Sequence, residues 1–180
     1  MYYRIFFTLA LVLIIHVCQS QTIDLSTSQI GWVITVDSDS IQGNISISSD
    51  SKSLMVTSEN RLTHYRAGDV QRVRLGSSQM IQAKLEFDME MRLFLVLVSG
   101  KMTILFLKNP YPNMAAETNY YLLNQNVAEP IVMTERQFFK LFKKQSKTMW
   151  SFAFSRNLDL TSQQDIETLF DYYNSLPKAD

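Results

Sequence analysis

The sequence predicts an α+β fold: a twisted antiparallel sheet or partly closed β-roll, followed by two C-terminal helices. Three observations predict it. Between residues 31 and 106, short runs of β-branched and aromatic residues are cut by Asp, Ser, Asn and Gly at hairpin spacing. Within that stretch Ala83, Leu85, Phe87 and Met89 alternate with Lys84, Glu86, Asp88 and Glu90, which is the period of a strand with one buried face. Beyond Pro130 the apolar spacing becomes helical and is opened by residue pairs that suit helix N-termini.

The strands follow in order. Trp32, Val33, Ile34, Thr35 and Val36 form the first, and Asp37, Ser38 and Asp39 its turn. Residues 40–48 form the second, where Gly43 interrupts the alternation and suggests a bulge. Leu54 to Thr57 is the third, and Ser58, Glu59, Asn60 and Arg61 turn the chain into Leu62, Thr63, His64 and Tyr65. A break at Ala67, Gly68 and Asp69 leads into residues 70–75, with Val73 and Leu75 on one face and Arg72 and Arg74 on the other. The period-two strand comes next, bearing a row of Glu86, Asp88 and Glu90. Residues 93–98 are continuously apolar, a pattern that fits a buried strand or a short helix equally. Residues 102–107 form another strand, Asn109, Pro110, Tyr111, Pro112 and Asn113 a loop, and residues 118–123 return to the sheet.

Helices are expected from about residue 134. Thr134 with Gln137 is a capping-box pair, and Phe138, Leu141 and Phe142 lie at helical spacing among Lys140, Lys143 and Lys144. Thr161 with Gln164 repeats the signature ahead of Ile166, Leu169, Phe170 and Tyr173, and Pro177 stops the terminal helix. Between them Trp150, Ser151, Phe152, Ala153 and Phe154 read as a strand or a connector. With no repeat or linker, residues 22–180 make one strand-rich domain.

Residues 1–20 have the three-part layout of a secretory signal peptide: Arg4, an apolar run over residues 5–17, then Cys18 and Ser20 as small residues before Gln21. A helix needs roughly 20 apolar residues to span a bilayer, so cleavage after Ser20 is favoured over a retained anchor. Acylation of Cys18 is disfavoured because Val17 stands where a small residue is needed. Cys18 is the only cysteine, so the mature chain forms no disulfide and relies on packing. Arg4 is the one charged residue of the signal, leaving 16 of 17 basic and all 17 acidic residues in the mature chain. That balance argues against nucleic acid as a partner.

Several short motifs carry a resemblance. Gly31, Val33, Ile34 and Thr35 precede Asp39, Ser40, Ile41, Gly43 and Ile45; then come Tyr65, Ala67, Asp69, Val70 and Val73, and later Phe94, Leu97, Val98 and Gly100. With Ile104, Leu105, Tyr120, Tyr121, Tyr173 and Asn174, this pattern resembles uncharacterised exported proteins of Bacteroidota, in which a strand-rich N-terminal domain often precedes an outer-membrane β-barrel. The resemblance covers most of the mature chain and brings no activity with it. It implies a periplasmic or cell-surface location in a Gram-negative bacterium, and it weakens the reading of Asn44, Ile45 and Ser46 as a eukaryotic glycosylation site.

Candidate chemistry is sparse. His64 is the one histidine outside the signal, and no serine and acid partners can be assigned to it. One histidine and no cysteine exclude the usual zinc sites, and no cofactor is expected. Asp37 and Asp39 could open a calcium loop, but the glycine and glutamate of an EF-hand are missing, so a hairpin turn is preferred. Glu86, Asp88 and Glu90 read as a solvated face that blunts an edge or meets a cationic partner. Tyr111, Tyr120 and Tyr121 near the proline loop are candidates for an aromatic platform. The basic aromatic segment 138–144 suits a membrane surface or, preferably, a helix packed on the sheet with its lysines in water. The expected function is therefore an exported non-enzymatic envelope module that binds a protein, glycan or other ligand. The alternatives are a carboxylate hydrolase using Asp69, Glu86 or Asp88, and a membrane-anchored structural subunit.

Overall fold

The computed structural model describes residues 27–107, 119–132 and 134–177. The signal segment, Cys18 and the loop bearing Tyr111 lie outside the described residues. Ten strands run in order: β1 (Gln29–Thr35), β2 (Ser40–Ile47), β3 (Ser53–Ser58), β4 (Arg61–Arg66), β5 (Val70–Leu75), β6 (Ser78–Leu85), β7 (Met91–Val98), β8 (Ile104–Phe106), β9 (Tyr120–Asn124) and β10 (Val127–Pro130). Three helices follow: α1 (Glu135–Lys140), α2 (Ser146–Arg156) and α3 (Gln163–Ser175). The α+β class is as expected. The sheet, however, is mixed.

Its order is β10-β9-β8-β7-β6-β5-β1-β2-β3-β4, and β10 also returns to β6. Every neighbouring pair is antiparallel except that return, where Val127 and Ala128 run parallel to Lys84 and Leu85. β6 makes this possible by dividing its length: residues 78–81 pair with β5 and its end pairs with β10. Strands β6 to β10 thus close a five-stranded barrel, while β1 to β5 form an open roll beside it.

The two units use opposite faces of the strands that they share. On β6, Met80 enters the core of the roll, whereas Ala83 and Leu85 enter the barrel. On β7, Leu93 points into the roll and Phe94 into the barrel. The sheet therefore curls one way around the first core and the other way around the second. A strand between two cores needs apolar residues on both faces, which resolves residues 93–98 as strand rather than helix. The roll is drawn together where Leu93 N–H donates to the Ser51 carbonyl at 2.8 Å. Beside it the buried Arg92 guanidinium donates to the Asp50 carbonyl at 2.9 Å and pairs with Asp88 at 2.6 Å.

Gly43 carries no bulge. The β1–β2 register runs unbroken through Gly31 opposite Gly43, and both glycines serve close backbone approach instead. A Cβ on Gly43 would lie 2.5 Å from the Thr57 carbonyl oxygen, and one on Gly31 only 2.3 Å from that of Arg74. The register shifts occur elsewhere, at Ile34/Thr35 and at Val96/Val98.

The helices cover the outside of the barrel. Val98, Ile104 and Ile131 form the floor, and Phe138, Phe139, Phe142, Met149, Ile166, Leu169 and Phe170 fill the gap above it. Phe138 meets Phe139, Phe142 and Phe170 edge-on at 5.5–5.8 Å between ring centres. Thr134 has the extended backbone of an N-cap but makes no side-chain capping bond. The second cap sits one residue later than expected, at Ser162, whose hydroxyl accepts the Asp165 N–H. At the far end of α3, Asn174 Oδ1 accepts from Met102 N–H at 3.2 Å, in space that a side chain on Gly100 would occupy. Among the described residues no helix is long and apolar enough to cross a membrane.

Candidate functional site

The residues singled out by sequence do not assemble into one surface. β6 ends at Leu85, so Glu86, Asp88 and Glu90 are in the following turn and not on a strand face. The alternation misled because Phe87 and Met89 continue the period while lying exposed in the turn, at 60% and 53%. Met89 takes a positive φ of 56°, and the turn is held by Asp88 accepting from Glu90 N–H. Asp88 and Glu90 converge on Arg92, and Glu90 also pairs with Lys52. These carboxylates balance a buried cation. Asp69 accepts from Arg66 N–H at 3.1 Å within the 3-10 turn Ala67–Asp69, an equally local role.

Tyr120 and Tyr121 are adjacent in β9 and therefore diverge. Tyr121 is buried in the barrel against Phe94 at 5.4 Å, which removes it from any ligand platform. Tyr120 faces the helical layer, where burial and the Glu167 carboxylate push its phenol above the usual range. His64 is exposed on β4, opposite Met55 of β3. Asp37 and Asp39 lie between β1 and β2, where Asp39 N–H donates to Thr35 Oγ1. Among the described residues, no group of three or more His, Cys, Asp or Glu is placed to hold a metal ion.

The site that emerges lies on α2, the segment that read as a strand or connector. It is a helix, ended by Asn157 in the left-handed conformation at φ 51°, ψ 44°. Met149 and Ala153 face the core, and Phe152 stacks on Tyr172 of α3 with centres 3.8 Å apart. With that side engaged, Trp150 and Phe154 are turned outward at one helical turn's separation, 44% and 75% exposed. Their rings lie parallel, 9° apart in plane and 5.3 Å between centres. The Trp150 indole N–H donates to Glu135 Oε1 at 2.9 Å, which ties α2 to α1 and fixes the ring's direction.

Trp150 stands between two open depressions. One, of about 410 Å³, runs along Phe154 to Asn157, Leu158 and Asp159. The other, of about 610 Å³, is lined by Phe139, Arg136, Lys143, Lys144 and Lys147. Glu135, Phe139 and Trp150 belong to both, so the two form one groove with an aromatic divide. Its ends differ in charge. Between residues 134 and 147 there are five cationic side chains and one carboxylate, Glu135. At the other end Thr161 donates to Asp159 Oδ1 from both its N–H and its hydroxyl, at 2.8 Å each. Those bonds hold the Asp159 carboxyl below its usual range.

The buried Phe138, Phe139 and Phe142 are spent on the core, so Lys140 of α1 and Lys143 and Lys144 just after it are the wet side of a packed segment. The sequence concealed α2 because Trp150, Phe152 and Phe154 alternate with small residues as a strand would. Asn157 just after Arg156 was the available sign of a helix end. No protein-family model, no curated protein and no solved structure matches this chain.

Proposed function

We propose that this chain is an exported, non-enzymatic module of the bacterial envelope that binds a ligand through the groove divided by Trp150. The observation that carries the reading is the exposed Trp150–Phe154 stack on the divide of that groove. Exposed aromatic surface costs free energy in water, and a neighbouring concavity gives it a use. The Glu135 bond presets the indole, which lowers the ordering cost of binding. Cationic and aromatic side chains dominate the groove, and its two carboxylates are engaged, Glu135 by the Trp150 indole and Asp159 by Thr161, which favours binding over hydrolysis. The envelope assignment rests on the signal layout of residues 1–20 and on the resemblance to exported Bacteroidota proteins.

The test uses the full chain with Trp32→Phe, which leaves Trp150 as the sole indole. Produced in a Gram-negative host, it is expected in the envelope fraction with an intact mass beginning at Gln21. A soluble envelope extract is expected to shift Trp150 emission, and Phe154→Ala to reduce the shift. Cytoplasmic protein of full mass would overturn the export reading, and unchanged emission would overturn the groove as the binding site.

A further inference from the structure

We propose that the ligand of the Trp150 groove is an acidic oligosaccharide, a run of sugar rings that carries anionic substituents. The inference rests on the binding role given to the groove above. It follows from three kinds of group set side by side. The Trp150 and Phe154 rings present flat apolar surface of a size that suits the C–H face of a pyranose. Asn157 and the ionised Asp159 flank that surface at one end and supply the amide and carboxylate that sugar hydroxyls bond. Arg136, Lys143 and Lys147 flank it at the other end and supply cations for an acidic substituent.

The arrangement discriminates among anionic partners. The flat surface of an anionic bilayer does not enter a depression of about 410 Å³, so it would meet the cations at the rim and leave the Asn157 end unused. An acidic peptide would answer the cations but leave the aromatic divide without a ring to stack. A neutral glycan would answer the rings and hydroxyl partners but leave the cationic half unmatched. An acidic sugar chain lying across Trp150 engages both depressions at once.

The Trp32→Phe chain, with Trp150 as reporter, is titrated with hexagalacturonate, its methyl ester, a heparin-derived hexasaccharide and a lipid-free phosphorylated core oligosaccharide. Hexaglutamate and phosphatidylglycerol vesicles serve as competitors of other classes. At least one acidic oligosaccharide is expected to quench Trp150 saturably, more weakly as salt is raised. Where the methyl ester is the comparison, it should bind about tenfold more weakly. Lys143→Glu with Lys147→Glu is expected to weaken binding about tenfold, and Phe154→Ala by a similar factor, with unchanged thermal melts. Equal binding of the ester, equal binding of hexaglutamate, or response to vesicles alone would overturn the proposal. If no oligosaccharide binds while the envelope extract still shifts Trp150, the glycan inference falls and the groove's binding role stands. If neither acts, both fall.

Discussion

The open roll and the helical layer are stabilised by different kinds of side chain. The fully buried core of the roll is aliphatic: Val33, Ile45, Leu54, Val56, Val70, Val73, Met80 and Leu93, with Tyr65 partly buried at its margin. The helical layer is packed with Phe138, Phe139, Phe142 and Phe170, joined by Tyr120, Tyr172 and Tyr173. Geometry gives the reason. Adjacent strands lie about 4.8 Å apart, so β-branched side chains on one curled face already touch. A helix stands off the sheet by about 10 Å, and only long side chains from both layers fill that gap. The difference teaches where function can sit. The roll spends its apolar residues on a closed interior, whereas α2 has more aromatic residues than its core face can bury and places two of them in water.

The comparison is tested most severely by large-to-small substitution in each region. Phe138→Ala is expected to cost about 3–5 kcal/mol and Leu54→Ala about 2–5 kcal/mol. Urea melts followed by tryptophan fluorescence and by far-ultraviolet circular dichroism then ask whether the layers unfold together. Coincident transitions in both variants would make the two regions one cooperative unit; a helical signal lost first in Phe138→Ala would make the division thermodynamic as well as structural. A smaller effect separates the two helix starts. Ser162→Ala removes an observed cap and should cost about 1 kcal/mol, whereas Thr134→Ala, with no side-chain capping bond to lose, should change the melting temperature much less.

The smallest expected effect is the pH dependence that Asp50 gives the roll. Burial raises the Asp50 carboxyl, but the Ser48 hydroxyl, the Lys52 N–H, and the charges of Lys52 and Arg92 together bring it below its ordinary value. A carboxyl depressed in the folded state stabilises it above the unfolded pKa, and that contribution is lost as pH falls through the folded value. Asp50→Asn should therefore lower the melting temperature at pH 7 and reduce the further loss on acidification toward pH 3. Parallel melting curves for the two proteins across that range would remove Asp50 from the account.

Most of the roll was legible because its strands are adjacent in sequence and patterned by local chemistry. Ser58 to Arg61 turned where expected, and β4 and β5 begin within one residue of their expected starts or at them. Legibility failed where a distant residue decides the structure. The turn at Glu86 to Glu90 depends on Arg92, whose side chain is buried under the segment at Asp50. The barrel's parallel closure joins Lys84 to Val127 and has no local signature. Trp150 and Phe154 were read in the wrong period, so the site of greatest functional interest was hidden in a segment assigned to a strand or a connector. Residue type makes Tyr121 a platform candidate, but one position in β9 separates the barrel interior from the helical layer.

The double use of β6 also sets an order of events for a chain that emerges from its N-terminus. The roll can draw closed once Leu93 is available to meet Ser51. The barrel must wait for Ala128, and the aromatic layer for Phe170. Until then the barrel-facing side of β6 and β7, with Ala83, Leu85 and Phe94, is uncovered apolar surface on a half-finished protein. Between residues 93 and 128 the growing chain therefore has a finished first core beside an unfinished second one.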